Sequence, residues 1–151
     1  MGMCGGIEYK NGSRILRIYF PNPKAALPVR RKSGDVAWLP WGRRETETVP
    51  LPQGGWARLE SIQAGKWEKY QPRPVLIPAL RFMEKDDHRV SHWFKVPALE
   101  MIQGLVASIG DDRRVYVVTV QTPPEFPHIH DRWPRLVTRK SSPSLAPTKN
   151  P

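Results

Sequence analysis

The sequence predicts an α+β protein whose core is mainly antiparallel β-sheet, with a few short helices. Three observations carry that expectation. Seventeen prolines in 151 residues, joined by repeated glycine turns, rule out a helical bundle, because proline removes a helix donor and clashes with the preceding turn. Asn11-Gly12 stands between two strand-like runs, the strongest short hairpin signal, since both residues tolerate positive φ. Runs rich in β-branched residues recur, with Arg113 to Val120 the clearest of them.

Element by element, Ile7 to Tyr9 and Arg14 to Phe20 form a hairpin about Lys10-Asn11-Gly12-Ser13. Pro21 to Pro28 reads as an extended loop. A second hairpin turns at Ser33-Gly34-Asp35 and returns through Val36 to Trp41. After Gly54-Gly55, the spacing of Trp56, Leu59, Ile62 and Gln63 predicts a helix over Trp56 to Ala64, stopped by Gly65. Pro72-Arg73-Pro74 breaks the chain, and Val75 to Met83 resumes as one mostly buried strand. Val90 to Val96 and Met101 to Ile109 are further strands, and Gly110-Asp111-Asp112 is a turn. Thr122-Pro123-Pro124-Glu125 can open a short helix that carries His128 and His130 toward Trp133-Pro134. The expectation is one domain over residues 3–137 and a disordered, basic Pro/Ser tail over 138–151.

Charge is the strongest global signal. The formal net charge is +10 with a pI near 10.2. The last fourteen residues contribute only Arg139, Lys140 and Lys149 to the excess, so most of it belongs to the folded part. Such a surface favours nucleic acid through counterion release and steering. No apolar span long enough for a membrane helix and no signal peptide is present, so a cytoplasmic protein without a membrane partner is expected. One cysteine excludes an internal disulfide framework and a CxxC zinc ribbon.

The familiar catalytic motifs are missing: there is no Walker loop, GxSxG, HExxH or GxGxxG. Four histidines, His88, His92, His128 and His130, lack a third ligand of fixed spacing, so neither metal nor cofactor is expected. Glu84 ends an apolar strand, where burial would raise its pKa toward neutrality and suit it to shuttle protons. His130 precedes Asp131, which could orient its ring. Arg58 and Arg132 lie beside Trp56 and Trp133 and could hold phosphate bidentately. The six tryptophans, Trp41 and Trp56 among them, add candidates for stacking on bases.

The single cysteine, Cys4, follows Met3. A chain beginning at Cys4 would offer a free α-amine and a free thiol on adjacent carbons. Such a 1,2-aminothiol condenses with an aldehyde to a five-membered thiazolidine, which an internal cysteine cannot do because its nitrogen is an amide.

Several segments, in order, are similar to the SRAP family, the SOS response-associated peptidases or abasic-site processing proteins. They are Met3-Cys4-Gly5-Gly6, Trp41-Gly42, Trp56-Ala57-Arg58-Leu59-Glu60-Ser61, Pro78-Ala79-Leu80-Arg81-Phe82-Met83-Glu84, Val115 to Thr119 and Ile129-His130-Asp131-Arg132-Trp133-Pro134. The resemblance spans about Met3 to Val137. It implies barrel-like β-sheets, a positively charged groove for single-stranded DNA, and covalent capture of the ring-opened abasic-site aldehyde as a thiazolidine. By resemblance, Cys4 is the nucleophile and Glu84 the catalytic glutamate. His130 assists sugar ring opening, and Arg58 and Arg132 contact DNA phosphates. The partner implied is single-stranded DNA carrying abasic sites, in the setting of DNA damage.

The chain departs from the family pattern at several places. Trp56 replaces an asparagine, Gly6 an arginine, Leu80-Arg81 an Asp-Gly pair and Lys85 a tryptophan, while Met1-Gly2 precede Met3. A second expectation follows from these changes: a module that binds single-stranded nucleic acid without covalent chemistry. Peptidase activity, the family's older label, would need only self-removal of the leading residues.

Overall fold

The computed structural model describes residues 5–138. Cys4, and the expected tail beyond Thr138, therefore lie outside the described residues. The protein is rich in β-structure, mostly antiparallel, with one curled half-barrel sheet.

Strands β1 (Gly6–Asn11) and β2 (Arg14–Tyr19) form the expected hairpin, in register from Gly6↔Tyr19 to Asn11↔Arg14. Gly12 makes the turn at φ +65°, a conformation that costs glycine little. Strands β3 (Ala26–Arg30) and β4 (Val36–Pro40) form the second hairpin. Here β3 starts inside the stretch expected to be loop, because Leu27 and Val29 are drawn into the core.

The segment expected as helix from Trp56 is strand first. Strand β5 (Trp56–Arg58) runs parallel to a later strand, with Trp56 to Arg58 opposite Val117 to Thr119. Only then does helix α1 (Leu59–Gln63) follow, five residues long with Ile62 buried. A non-local ladder that satisfies the backbone of β5 outweighs the helical spacing.

The single strand expected over Val75 to Met83 is two: β6 (Arg73–Ile77) and β7 (Arg81–Lys85). The break falls at Pro78-Ala79-Leu80, where proline lacks a donor for a ladder. The two halves join different sheets. Strand β7 pairs with β1 and with β8 (Ser91–Lys95), completing a four-stranded sheet in the order β2-β1-β7-β8. Strand β6 pairs with β9 (Glu100–Ile109), the centre of a six-stranded sheet. That sheet also contains β10 (Asp112–Gln121), β11 (Arg132–Pro134) and β12 (Leu136–Thr138), besides β5. Thr138 pairs with Glu100, so the sheet reaches one residue past the expected end of the domain.

Among the described residues no helix forms after Thr122. Pro123, Pro124 and Pro127 remove three donors, and turn bonds from Phe126 N–H to Pro123 O and from Ile129 N–H to Phe126 O take its place.

The two sheets enclose one core. Ile7 and Phe82 of the smaller sheet meet Ile77, Ile102, Val115 and Val117 of the larger, with Leu27 and Trp41 alongside. Alternate residues of β9 and β10, including Leu105, Tyr116 and Val118, are buried on the other face beneath Ile62 and Trp67. Burial on both faces explains why these strands read as continuous apolar runs. Among the described residues no helix is long and apolar enough to cross a membrane.

Candidate functional site

Strand β7 places Phe82 and Glu84 on the core face, and Arg81, Met83 and Lys85 on the outer one. Glu84 is thereby fully buried. Among the described residues neither of its carboxylate oxygens meets a hydrogen-bond partner. Desolvation alone pushes its pKa up to about 9, so at neutral pH the side chain is a carboxylic acid able to donate a proton. An uncompensated acid in a core of this size costs stability, and such groups collect where chemistry requires them.

Two other segments converge on the same strand. Gly5 donates its N–H to Met83 O at 3.2 Å and accepts from Phe20 N–H at 3.1 Å. The residue that follows Cys4 is thus tied between β2 and β7, beside Glu84. From the other direction, His130 N–H donates to Lys85 O at 2.9 Å, and the Thr122 hydroxyl donates to His130 O at 2.6 Å. His130 is partly buried. Its Nδ1 lies 3.2 Å from Arg132 N and 3.3 Å from Arg132 O, so it accepts from the amide in one tautomer and donates to the carbonyl in the other. Asp131 Oδ1 lies 3.3 Å from the same Nδ1. The backbones of Gly5 and His130 thus bond to Met83 O and Lys85 O, the carbonyls of the two residues that flank Glu84 along β7.

The other residues singled out in the sequence separate into buried and exposed. Arg132 is buried and bound internally: Nη1 and Nη2 donate to the two Glu60 oxygens at 2.9 and 2.7 Å, and Nη2 also to Thr119 O at 2.8 Å. This fork holds the Glu60 carboxyl down at about 2. Arg132 clamps β11 to α1, an arrangement that leaves it no free fork for a phosphate. Trp41 is fully buried, donates Nε1–H to Gly55 O at 2.9 Å and packs edge-on against Phe20 and Trp56. Buried in this way, it presents no face on which a base could stack. Trp56 is partly buried, and its Nε1–H is a donor without an acceptor among the described residues. Arg58 is exposed.

The four histidines do not gather. His92 Nε2 meets Asp86 at 2.8 Å, which lowers the Asp86 pKa to about 2, while His88 and His128 approach Asp87. Among the described residues no group of three His, Cys, Asp or Glu could hold a metal ion.

The outer face of the four-stranded sheet was not anticipated from the sequence. Register aligns Tyr19, Gly6, Met83 and Trp93 in one row, and Arg17, Glu8, Arg81 and Lys95 in the next. Lys10 and Lys85 extend the same face. Glu8 is buried beneath Arg17 and Arg81, at 3.1 and 3.0 Å. The Arg17 guanidinium also lies 4.7 Å over the Trp93 ring. Gly6 is what allows the aromatic pair: a Cβ there would sit 3.2 Å from Trp93 and 3.3 Å from Tyr19. The space an arginine would take in the SRAP pattern is filled by two rings. The signal was present as cationic and aromatic residues two apart (Arg17 and Tyr19, Trp93 and Lys95), but only the register makes one surface of them.

A surface of cations interleaved with aromatic rings suits the backbone and bases of a single strand, and a buried neutral acid suits proton transfer. Comparison of the chain with family models, with characterised proteins and with solved structures finds no match.

Proposed function

We propose that this protein binds single-stranded DNA and captures the ring-opened aldehyde of an abasic site through Cys4, in a chain from which Met1, Gly2 and Met3 have been removed. The observation that carries the reading is the convergence on β7. Gly5 is bonded to Met83, His130 to Lys85, and between them stands Glu84, buried, unpartnered among the described residues and protonated at neutral pH. These three segments are far apart in sequence and are the ones the SRAP resemblance marks as catalytic.

The proposed chemistry balances without any added group. The Cys4 α-amine, with an ordinary pKa of about 7.7–8.0, is partly neutral at physiological pH and attacks the aldehyde carbon. Protonated Glu84 donates to the departing hydroxyl of the carbinolamine, releasing one water and leaving an imine. The Cys4 thiolate then adds to the imine carbon, whose nitrogen takes up a proton, and the thiazolidine closes. His130 supplies a second proton-transfer group for opening the sugar ring. The outer face of the four-stranded sheet, with Lys10, Arg17, Lys85 and Lys95 around Tyr19 and Trp93, provides the electrostatic and stacking surface for the strand.

The test is covalent: an abasic-site oligonucleotide should shift the mass of the Cys4-started protein, and Cys4→Ser should abolish the shift. A noncovalent single-strand binder is the second reading, favoured by that outer face, which owes nothing to Cys4. It is distinguished by salt-sensitive binding without any mass shift.

A further inference from the structure

Away from β7, the chain that leaves α1 bends back over the six-stranded sheet. A 3-10 turn (Glu68–Tyr70) ends at Gln71, whose backbone is left-handed at φ 51°, and β6 starts directly after Pro72. This abrupt reversal opens a cavity of about 560 Å³ lined by Glu68, Gln71, Pro72, Arg73, Ser108 and Arg113. The three strands beneath it are neighbours. Ser108 of β9 pairs with Arg113 of β10, and Arg73 of β6 pairs with Val106, two residues along β9 on the same face.

Arg73 and Arg113 are both exposed, and neither forms a salt bridge or a side-chain hydrogen bond among the described residues. That contrasts with Arg17, Arg44, Arg81, Arg114 and Arg132, each of which has a carboxylate within reach. Two free guanidinium groups on the wall of one cavity, with a serine hydroxyl on the strand between them, form an anion receptor. Guanidinium forks match the oxygens of a phosphoryl group. The volume lies in the range of about 300–1,000 Å³ typical of small-molecule sites, well beyond what a bare phosphate fills. Glu68 limits the ligand further. Its carboxylate would repel a second phosphate but accepts hydrogen bonds from hydroxyl groups, and the Gln71 amide can do likewise or donate.

We infer that this cavity is a second ligand site, separate from β7 and independent of its proposed chemistry, that takes a phosphate monoester of a hydroxylated molecule. The monoester could be a free sugar phosphate or the terminal 5′-phosphate of a nucleic-acid strand. Titration calorimetry of the full chain in phosphate-free buffer separates the two, with ribose 5-phosphate, inorganic phosphate and a pair of identical oligonucleotides bearing 5′-phosphate or 5′-hydroxyl. Ribose 5-phosphate should bind more tightly than inorganic phosphate, and Arg73→Gln and Arg113→Gln should each weaken it about tenfold. If the strand end is the natural source, the 5′-phosphate should strengthen oligonucleotide binding by a factor that both substitutions erase. Both side chains are exposed and unpaired, so the variants should melt with the native protein, and Arg73→Lys and Arg113→Lys should recover part of the affinity. The inference fails if no phosphorylated probe binds at millimolar concentration, or if binding survives both glutamine substitutions unchanged.

Discussion

Replacing Glu84 with glutamine should flatten the pH dependence of stability across the neutral range. The buried carboxyl is held near pKa 9 against an ordinary 4.5, so the folded state keeps a proton that the unfolded chain releases above pH 4.5. The sign follows from linkage. Stability from this group is fully present below pH 4.5 and is lost as pH rises toward 9, because the unfolded state gains by ionising and the folded state does not. At about 1.4 kcal/mol per pH unit, the loss between pH 4.5 and pH 7 is about 3 kcal/mol. Glu60 and Asp86, both held near pKa 2, act in the opposite direction but only at lower pH. The quantity to read is the difference between wild type and Glu84→Gln. Urea unfolding at pH 5, 6, 7 and 8 measures it. The wild type should lose stability relative to the variant by about 1.4 kcal/mol per unit. Parallel curves would refute the assignment of Glu84 as a neutral acid in the native protein.

Other perturbations have equally definite outcomes. Arg132→Ala removes the fork to Glu60 and the bond to Thr119 O, and should cost about 2 kcal/mol in chemical denaturation. Gly42→Ala meets both a φ of +58° and Gly54 O at 2.1 Å from the new Cβ, and should cost about 3 kcal/mol or leave the protein unfolded on thermal melting. Gly6→Arg should destabilise by about 1 kcal/mol, since Tyr19 and Trp93 must move aside. Lys85→Gln with Lys95→Gln should weaken oligonucleotide binding and reduce the salt slope by about 0.7 for each phosphate no longer neutralised, read by fluorescence anisotropy from low to high salt.

How much of this was legible in the sequence varied with the range of the interactions. Both hairpins were, because Asn11-Gly12 and Ser33-Gly34-Asp35 encode their turns locally. The identity of β5 was not, since Trp56, Leu59 and Ile62 carry helical spacing while the parallel pairing with Val117 to Thr119 is set by residues some sixty positions away. One apolar run hid two strands, because Pro78 sends β6 and β7 to different sheets. At the site, the apolar run before Glu84 was enough to suspect its burial. The engagement of Arg132 by Glu60 and the burial of Trp41 were not foreseeable, since each depends on neighbours that meet only once the sheets close. Similarly, the basic and aromatic outer face required knowing that β1 lies between β2 and β7.

Intact-mass spectrometry decides whether the proposed capture occurs. The protein, started at Cys4, is incubated at neutral pH with a single-stranded oligonucleotide containing one abasic site. The expected product has the summed mass of protein and oligonucleotide less one water, and it is absent with Cys4→Ser or with an intact oligonucleotide. No adduct from the Cys4-started protein, or an equal yield from Cys4→Ser, would contradict ring-forming capture at this terminus.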